Sequence, residues 1–249
     1  MIDAYTHLDM GSAQPVADLE QRMRAAGLDR ALIVETWSGD NRECLQQLIS
    51  EPLPMFRVAK CFRPDQERSG GELLSSEMVR ALRVKTADLH RLGPVAAKLE
   101  SMGKWLLPHA ESGIGALTEE LLRLAALYPG LSIYLPHMGW PRRDKKDEND
   151  WHRSISRLSK VGNLIISVSA IAHFSDEAFP HDDVSHFAAY LLATFGQESL
   201  VAGSDYPLFE KDRYTQYIQL AGKWIAGSME AGHRFEARLF GEQLANQQG

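Results

Sequence analysis

The stretch LTEELLRLAALYPGLSIYLPHMG, Leu117 to Gly139, contains the repeating unit of the fold. Its first half spaces leucines as one face of a helix does and closes on Gly130, as helices often end. Its second half, LSIYLPHMG, is a short apolar run that finishes on His137 before a turn-rich segment. A helix leading directly into a short apolar strand is the building block of a parallel sheet.

Working outward, similar runs recur: IDAYTH from Ile2, ALIVET from Ala31, FRVAKCF from Phe56, ALRVKT from Ala81, KWLLPHA from Lys104, NLIISVSA from Asn163 and SLVAGSD from Ser199. With the first run these make eight. Segments with helical spacing, such as VADLEQRMRAAG and DVSHFAAYLLATFG, stand between most of them. Eight strand–helix units in 249 residues suit a closed (β/α)8 TIM barrel, although an open doubly wound sheet has the same local pattern. No Ser/Gly-rich linker divides the chain, so residues 1–249 read as one domain. PRRDKKDEND, Pro141 to Asp150, mixes charges and reads as an exposed connection or a flap over the mouth.

Composition narrows the function classes. The chain is 44% hydrophobic and 24% charged with a formal net charge of −6, which argues against nucleic acid as a partner. Two cysteines, Cys44 and Cys61, do not make a disulfide framework or a thiolate zinc site. No apolar run reaches the roughly 18 residues of a membrane span, and no signal segment opens the chain. A soluble cytoplasmic protein is expected, without a membrane partner; a homo-oligomer is compatible with the sequence.

The strand ends carry the chemistry. His7, Glu35, Lys85, His109, His137 and Asp205 each close an apolar run, with Lys60 and Arg63 around the end of the third. A parallel barrel gathers such ends into one mouth. Taken singly, several have a bland reading: His7 with Tyr5 as a polar strand end, His109 as a neighbour of a helix cap, and Arg142, which with Lys60 and Arg63 could bind a substrate carboxylate, equally as a solvated loop charge. His181 and His186 read as surface, whereas His173, after the seventh strand, is within reach of the mouth.

In their order, these motifs resemble the amidohydrolase-related branch of the metal-dependent amidohydrolase superfamily, which includes aryl decarboxylases and 2-pyrone-4,6-dicarboxylate lactonase-like hydrolases. IDAYTHLD resembles the opening Asp-x-His-x-His strand, LPHMGWP the His-x-Gly-x-Pro segment of strand 6, and GSDYP the Gly-Ser-Asp-x-Pro segment of strand 8. EARLFGEQ resembles the closing helix. The resemblance implies a divalent metal, zinc foremost, held by His7, His109 and Asp205, with Tyr5 a further candidate ligand. It also implies that Asp205 is the general base and that His137 orients water or polarises the substrate. Lys60, Arg63, Lys85 and Trp140 are then candidates for binding a small, anionic substrate.

Tyr5 departs from the pattern, standing where an imidazole is expected. A phenol must lose its proton, at a reference pKa of about 10, before it binds metal well. Metal-free hydrolysis by Asp-activated water is therefore a parallel expectation. Lys85 reads as pairing with a carboxylate or an anionic substrate rather than as a carbamylated metal bridge. The leading expectation is a hydrolase opening a lactone or related cyclic ester or amide. A metal-dependent decarboxylase of an aromatic or enol acid is the alternative on the same fold, and a non-catalytic small-molecule-binding barrel the alternative of another class.

Overall fold

The computed structural model describes residues 1–64, 74–110, 112–142, 145–225 and 231–241. Eight parallel strands form one sheet in sequence order: β1 Ile2–Thr6, β2 Arg30–Val34, β3 Phe56–Cys61, β4 Val79–Lys85, β5 Trp105–His109, β6 Ser132–Leu135, β7 Leu164–Val168 and β8 Leu200–Ala202. The helices between and after them are α1 Pro15–Ala25, α2 Arg42–Ser50, α3 Gly93–Ser101, α4 Thr118–Leu127, α5 Lys145–Leu158, α6 Ile171–Phe174, α7 Ser185–Phe195, α8 Tyr214–Trp224 and α9 Ala231–Phe240. The eight expected strands are all present, and the opening stretch is α4 followed by β6.

Alternation along the strands divides the core in two. Ala4, Leu32, Val34, Ala59, Ala81 and Leu107 face inward with Trp105 and Tyr134, and fill the barrel. Ile33, Val58 and Leu82 face the surrounding helices. Phe235 and Leu239 of α9 join the inner cluster and are fully buried, so the closing helix packs into the barrel's interior. Burying a leucine or phenylalanine side chain contributes roughly 1.5–3 kcal/mol, so these two positions anchor α9 firmly.

The barrel closes between its first and last strands. β8 is only three residues long, and the contact with β1 is completed just beyond it: Asp205 N–H donates to the Tyr5 carbonyl at 2.9 Å, and His7 N–H to the Tyr206 carbonyl at 2.7 Å. Gly203 permits this approach. A Cβ there would lie 3.0 Å from Tyr5 Cβ and 3.1 Å from both Tyr5 N and Ser169 Cβ.

Two expectations change. Within PRRDKKDEND, Arg143 and Asp144 lie outside the described residues, but Lys145–Asp150 is the first part of α5 rather than a loop. Glu and Asp in the first turn complement the helix dipole there, a signal that the mixed charge obscured. His181 is buried rather than superficial, with its Nε2 2.9 Å from the Tyr217 hydroxyl. Glu242 and Gln243, at the end of the EARLFGEQ segment, lie outside the described residues. Among the described residues no helix is long and apolar enough to cross a membrane.

Candidate active site

The C-terminal ends of the strands bring together Tyr5 from β1 and His7 just after it, Arg83 and Lys85 from β4, His109 from β5, His137 after β6, Ser169 after β7 and Asp205 after β8. Asp205 Oδ1 lies 3.8 Å from His7 Nε2 and 3.9 Å from His137 Nε2, with all three side chains buried. The Tyr5 ring packs edge-on against both imidazoles, at centroid distances of 5.4 Å to His7 and 4.4 Å to His137.

The local backbone is held in unusual conformations. His137, Met138, Trp140 and Asp205 all adopt left-handed φ values, between 54° and 57°. Such conformations cost a non-glycine residue free energy and persist only where surroundings enforce them. For His137, the enforcing groups are the Ser167 and Ser169 hydroxyls, each accepting its N–H at 3.2 Å. Asp3 does the same for Asp205. Its fully buried carboxylate accepts the Ser204 N–H at 3.0 Å, the Ser204 hydroxyl at 2.6 Å and the Tyr214 hydroxyl at 2.9 Å.

Burial sets the protonation states. It raises the Asp205 carboxyl to about 8, an effect that Arg83 opposes and Asp3 reinforces. Burial, with Arg83 adding to it, lowers His7 to about 3 and holds His137 well below the usual imidazole range. The Tyr5 phenol is pushed up by burial and stays protonated at neutral pH. Neutral imidazoles therefore flank a carboxyl tuned toward the range where a general base works well.

Hydrogen-bond partners fix two tautomers. His7 Nδ1 lies 2.7 Å from the Val34 carbonyl, which can only accept, so Nδ1 carries the proton and Nε2 the lone pair. His109 is the reverse. Its Nδ1 lies 3.2 Å from Arg83 Nη2, which can only donate, so the proton sits on Nε2.

The expected substrate-binding residues separate. Trp140 packs against His109, His137 and His173 at 5.1, 5.2 and 5.6 Å, so it walls the mouth and His173 reaches it. Lys85 lies on the inward-facing side of β4, its Nζ 5.0 Å from the Trp37 ring. Lys60 is not brought to the interior. It is level with Leu82 on the outward-facing side of β3, its Nζ 3.2 Å from Glu35 Oε2. Arg63 Nη1 donates to Glu35 Oε1 at 2.9 Å and Arg42 Nε to the same oxygen at 3.1 Å, while Cys61 N–H occupies Oε2. Lys60 and Arg63 are thus counter-ions of a buried glutamate, although Arg63 Nη2 has no hydrogen-bond partner.

Arg83, Trp37 and Ser169 were not singled out by the sequence. Arg83 was within reach of the alternation rule, since it shares a strand face with Lys85. Its buried guanidinium donates to the Glu35 carbonyl at 2.9 Å and bears on the charge states of Tyr5, His7, Cys61, His137 and Asp205. Around this mouth, Tyr5 OH, Trp37 Nε1, Arg83 Nε, Trp140 Nε1 and Asp205 Oδ1 are buried without a hydrogen-bond partner.

An eight-stranded barrel with this ordered set at its mouth matches one family model, described as amidohydrolase, over residues 6–226. The chain belongs to the amidohydrolase family. No curated protein sequence is matched. Among solved structures, an amidohydrolase from Burkholderia multivorans with bound zinc aligns with a TM-score of 0.76 at 15% identity, covering 96% of this chain and 98% of that one. A Pseudomonas putida protein, provisionally described as a 2-pyrone-4,6-dicarboxylic acid hydrolase, aligns with a TM-score of 0.73 at 21% identity, covering 98% of each chain. The 5-carboxyvanillate decarboxylase of Sphingomonas paucimobilis aligns with a TM-score of 0.60 at 16% identity, covering 96% of this chain and 98% of that one. At these identities the likeness establishes the barrel, and the names of these similar structures include both a hydrolase and a decarboxylase.

The zinc implied by this amidohydrolase barrel can be tested against the donors present. A zinc site needs lone pairs from several ligands at once. In this amidohydrolase the Tyr5 phenol keeps its proton, and His109 has its Nδ1 lone pair engaged by a guanidinium and a proton on Nε2. Among the described residues, no group of three or more His, Cys, Asp or Glu side chains is arranged to hold a metal ion. The expected His7–His109–Asp205 set, with Tyr5, therefore does not fit the metal, because His109 and Tyr5 are built as hydrogen-bond donors.

Proposed function

We propose that this amidohydrolase is a hydrolase that opens a lactone, or a related cyclic ester or amide, of a small carboxylated compound. The observation that carries the reading is the buried, unpartnered Asp205 Oδ1, flanked by two neutral imidazoles and facing a mouth rich in unpartnered donors. A single acceptor among several donors is chemistry for taking one proton while holding an oxygen-rich ligand.

In the proposed reaction Asp205, in its ionised form, removes a proton from water as the water oxygen attacks the ring carbonyl carbon. Negative charge develops on the carbonyl oxygen, where Tyr5 OH or Arg83 Nε donates. Collapse of the tetrahedral intermediate breaks the ring bond, and Asp205 returns its proton to the leaving oxygen or nitrogen. His137, held by Ser169 at 3.0 Å through Nδ1, orients the water or the carbonyl. Lys85 and Trp140 contact the remainder of an anionic substrate.

The test is a screen of lactones and carboxylated ring compounds with wild type and Asp205→Asn. Ring opening by wild type, lost in the variant, supports the reading. Equal turnover by both proteins refutes the role of Asp205. Release of carbon dioxide from a carboxylated phenol, without ring opening, replaces hydrolysis by decarboxylation.

A further inference from the structure

The two sides of the mouth differ in chemistry. On the β4 side stand Arg83 and Lys85. Arg83 has Nη1 on the Glu35 carbonyl at 2.9 Å and Nη2 on His109 Nδ1 at 3.2 Å, which leaves only Nε without a partner. Lys85 is exposed at the end of its strand, its Nζ 5.0 Å from the Trp37 ring, and no acid among the described residues pairs with it. One flexible ammonium at the rim is a seat for one carboxylate.

The side built by the segments after β6, β7 and β8 is aromatic. Between ring centroids, Trp140 lies 5.2 Å from His137, His173 5.6 Å from Trp140 and Phe209 5.4 Å from His173. These rings make a track that leads outward from the buried His137, and Leu208, 56% exposed, precedes Phe209 at its outer end. Burial lowers the His173 imidazole below its usual range, so this ring is neutral at pH 7 and belongs to the apolar wall.

The cations of that side are engaged elsewhere. In the described parts of the segments joining β6 to α5, β7 to α7 and β8 to α8, Arg142 Nε faces Asp147 at 3.4 Å, Lys211 Nζ faces Asp9 at 3.0 Å and Arg213 Nε faces Glu210 at 3.3 Å. A second carboxylate placed against the aromatic track would lose water without gaining a charged partner. An aryl group placed there leaves water and gains ring contacts.

We infer that the substrate carries a single carboxylate and, across the reacting ring from it, an apolar aryl group. Lys85 holds the carboxylate, the aryl group lies along Trp140, His173 and Phe209, and Phe209 is the residue that selects it. The inference rests on the proposed hydrolysis for the ring that reacts, and on the two unlike walls for the polarity of what binds.

The test is calorimetric binding to the free protein at pH 7, with three unreactive carboxylates: benzoate, biphenyl-3-carboxylate and isophthalate. Biphenyl-3-carboxylate is expected to bind at least about tenfold more tightly than benzoate, the scale of one buried phenyl group, and isophthalate no more tightly than benzoate. In Phe209→Ala, and independently in His173→Ala, that advantage should fall below about threefold. Lys85→Met should weaken all three ligands by about threefold or more. Absence of binding by biphenyl-3-carboxylate, a preference for isophthalate, an advantage unchanged in both wall variants, or benzoate binding indifferent to Lys85→Met overturns the inference.

None of these measurements requires turnover, so a lactone screen that finds no substrate refutes the hydrolysis and leaves the binding polarity standing. Among lactones that are opened, an aryl-substituted monocarboxylate should exceed a dicarboxylate in kcat/KM by at least about tenfold. The reverse order overturns the assignment of the aromatic wall.

Discussion

The carboxylate of Asp3 accepts both the backbone N–H and the side-chain hydroxyl of Ser204, 201 residues later in the chain. Strand β1 thereby grips the turn that presents Asp205, and Tyr214 of α8 donates to the same carboxylate. Removing the Asp3 acceptor leaves several buried donors unsatisfied at once. Asp3→Ala is expected to lower stability by ~3 kcal/mol or more in urea unfolding, with the milder Asp3→Asn losing less stability but most of the turnover.

Stability should fall between pH 6.5 and 8. Asp205 is raised to about 8 from an unfolded value near 3.8, so across that interval the native state holds a proton that the unfolded chain has released. Its contribution is complete at low pH and disappears as pH rises through 8. Below 6.5 the buried His7, lowered to about 3, opposes this slope, because there the unfolded state binds the extra proton. Asp3, raised to about 6, adds to the Asp205 slope only up to that pH, and Lys104, lowered to about 8, acts above the window. Thermal melts should show a decline of at most ~1.4 kcal/mol per pH unit over 6.5–8, absent in Asp205→Asn.

Turnover should move the opposite way. The base form of Asp205 is ionised, so kcat/KM for the opened lactone should rise with pH and level off above about 8. The spontaneous hydrolysis rate is subtracted at each pH. A flat profile from pH 6 to 9 contradicts Asp205 as the base.

Chelation should be without effect. Tyr5 and His109 present protons where a metal needs lone pairs, so dialysis against a chelator is expected to leave both melting temperature and turnover unchanged. Elemental analysis should find zinc well below one equivalent. Stoichiometric zinc whose removal abolishes turnover counts against this arrangement.

The barrel was legible because strand and helix spacings alternate strictly, and each strand end displays its polar residue at a point where packing alone has no use for one. Asp205, His137 and His7 converge as their strand positions imply. Lys60 shows where such reading stops. Its neighbour Cys61 lies on the inward face, and a one-residue difference in phase sends Lys60 to the helices instead. Arg83 was hidden for the complementary reason, embedded in an apolar strand where a charge reads as a surface residue until register places it inside. The tautomer of His109 is not written in any local pattern, since it depends on a side chain 26 residues away.

The seam between β1 and β8 joins the two strands most distant in the sequence, through backbone hydrogen bonds made by Tyr5, His7, Asp205 and Tyr206 themselves. Those residues meet only when the ring is complete. A nascent chain that has released its first seven strands from the ribosome therefore carries no working centre, however well those strands are formed. Turnover consequently reports on finished folding, and recovery of activity during refolding should coincide with the slowest structural phase, set by the long loop that must be closed.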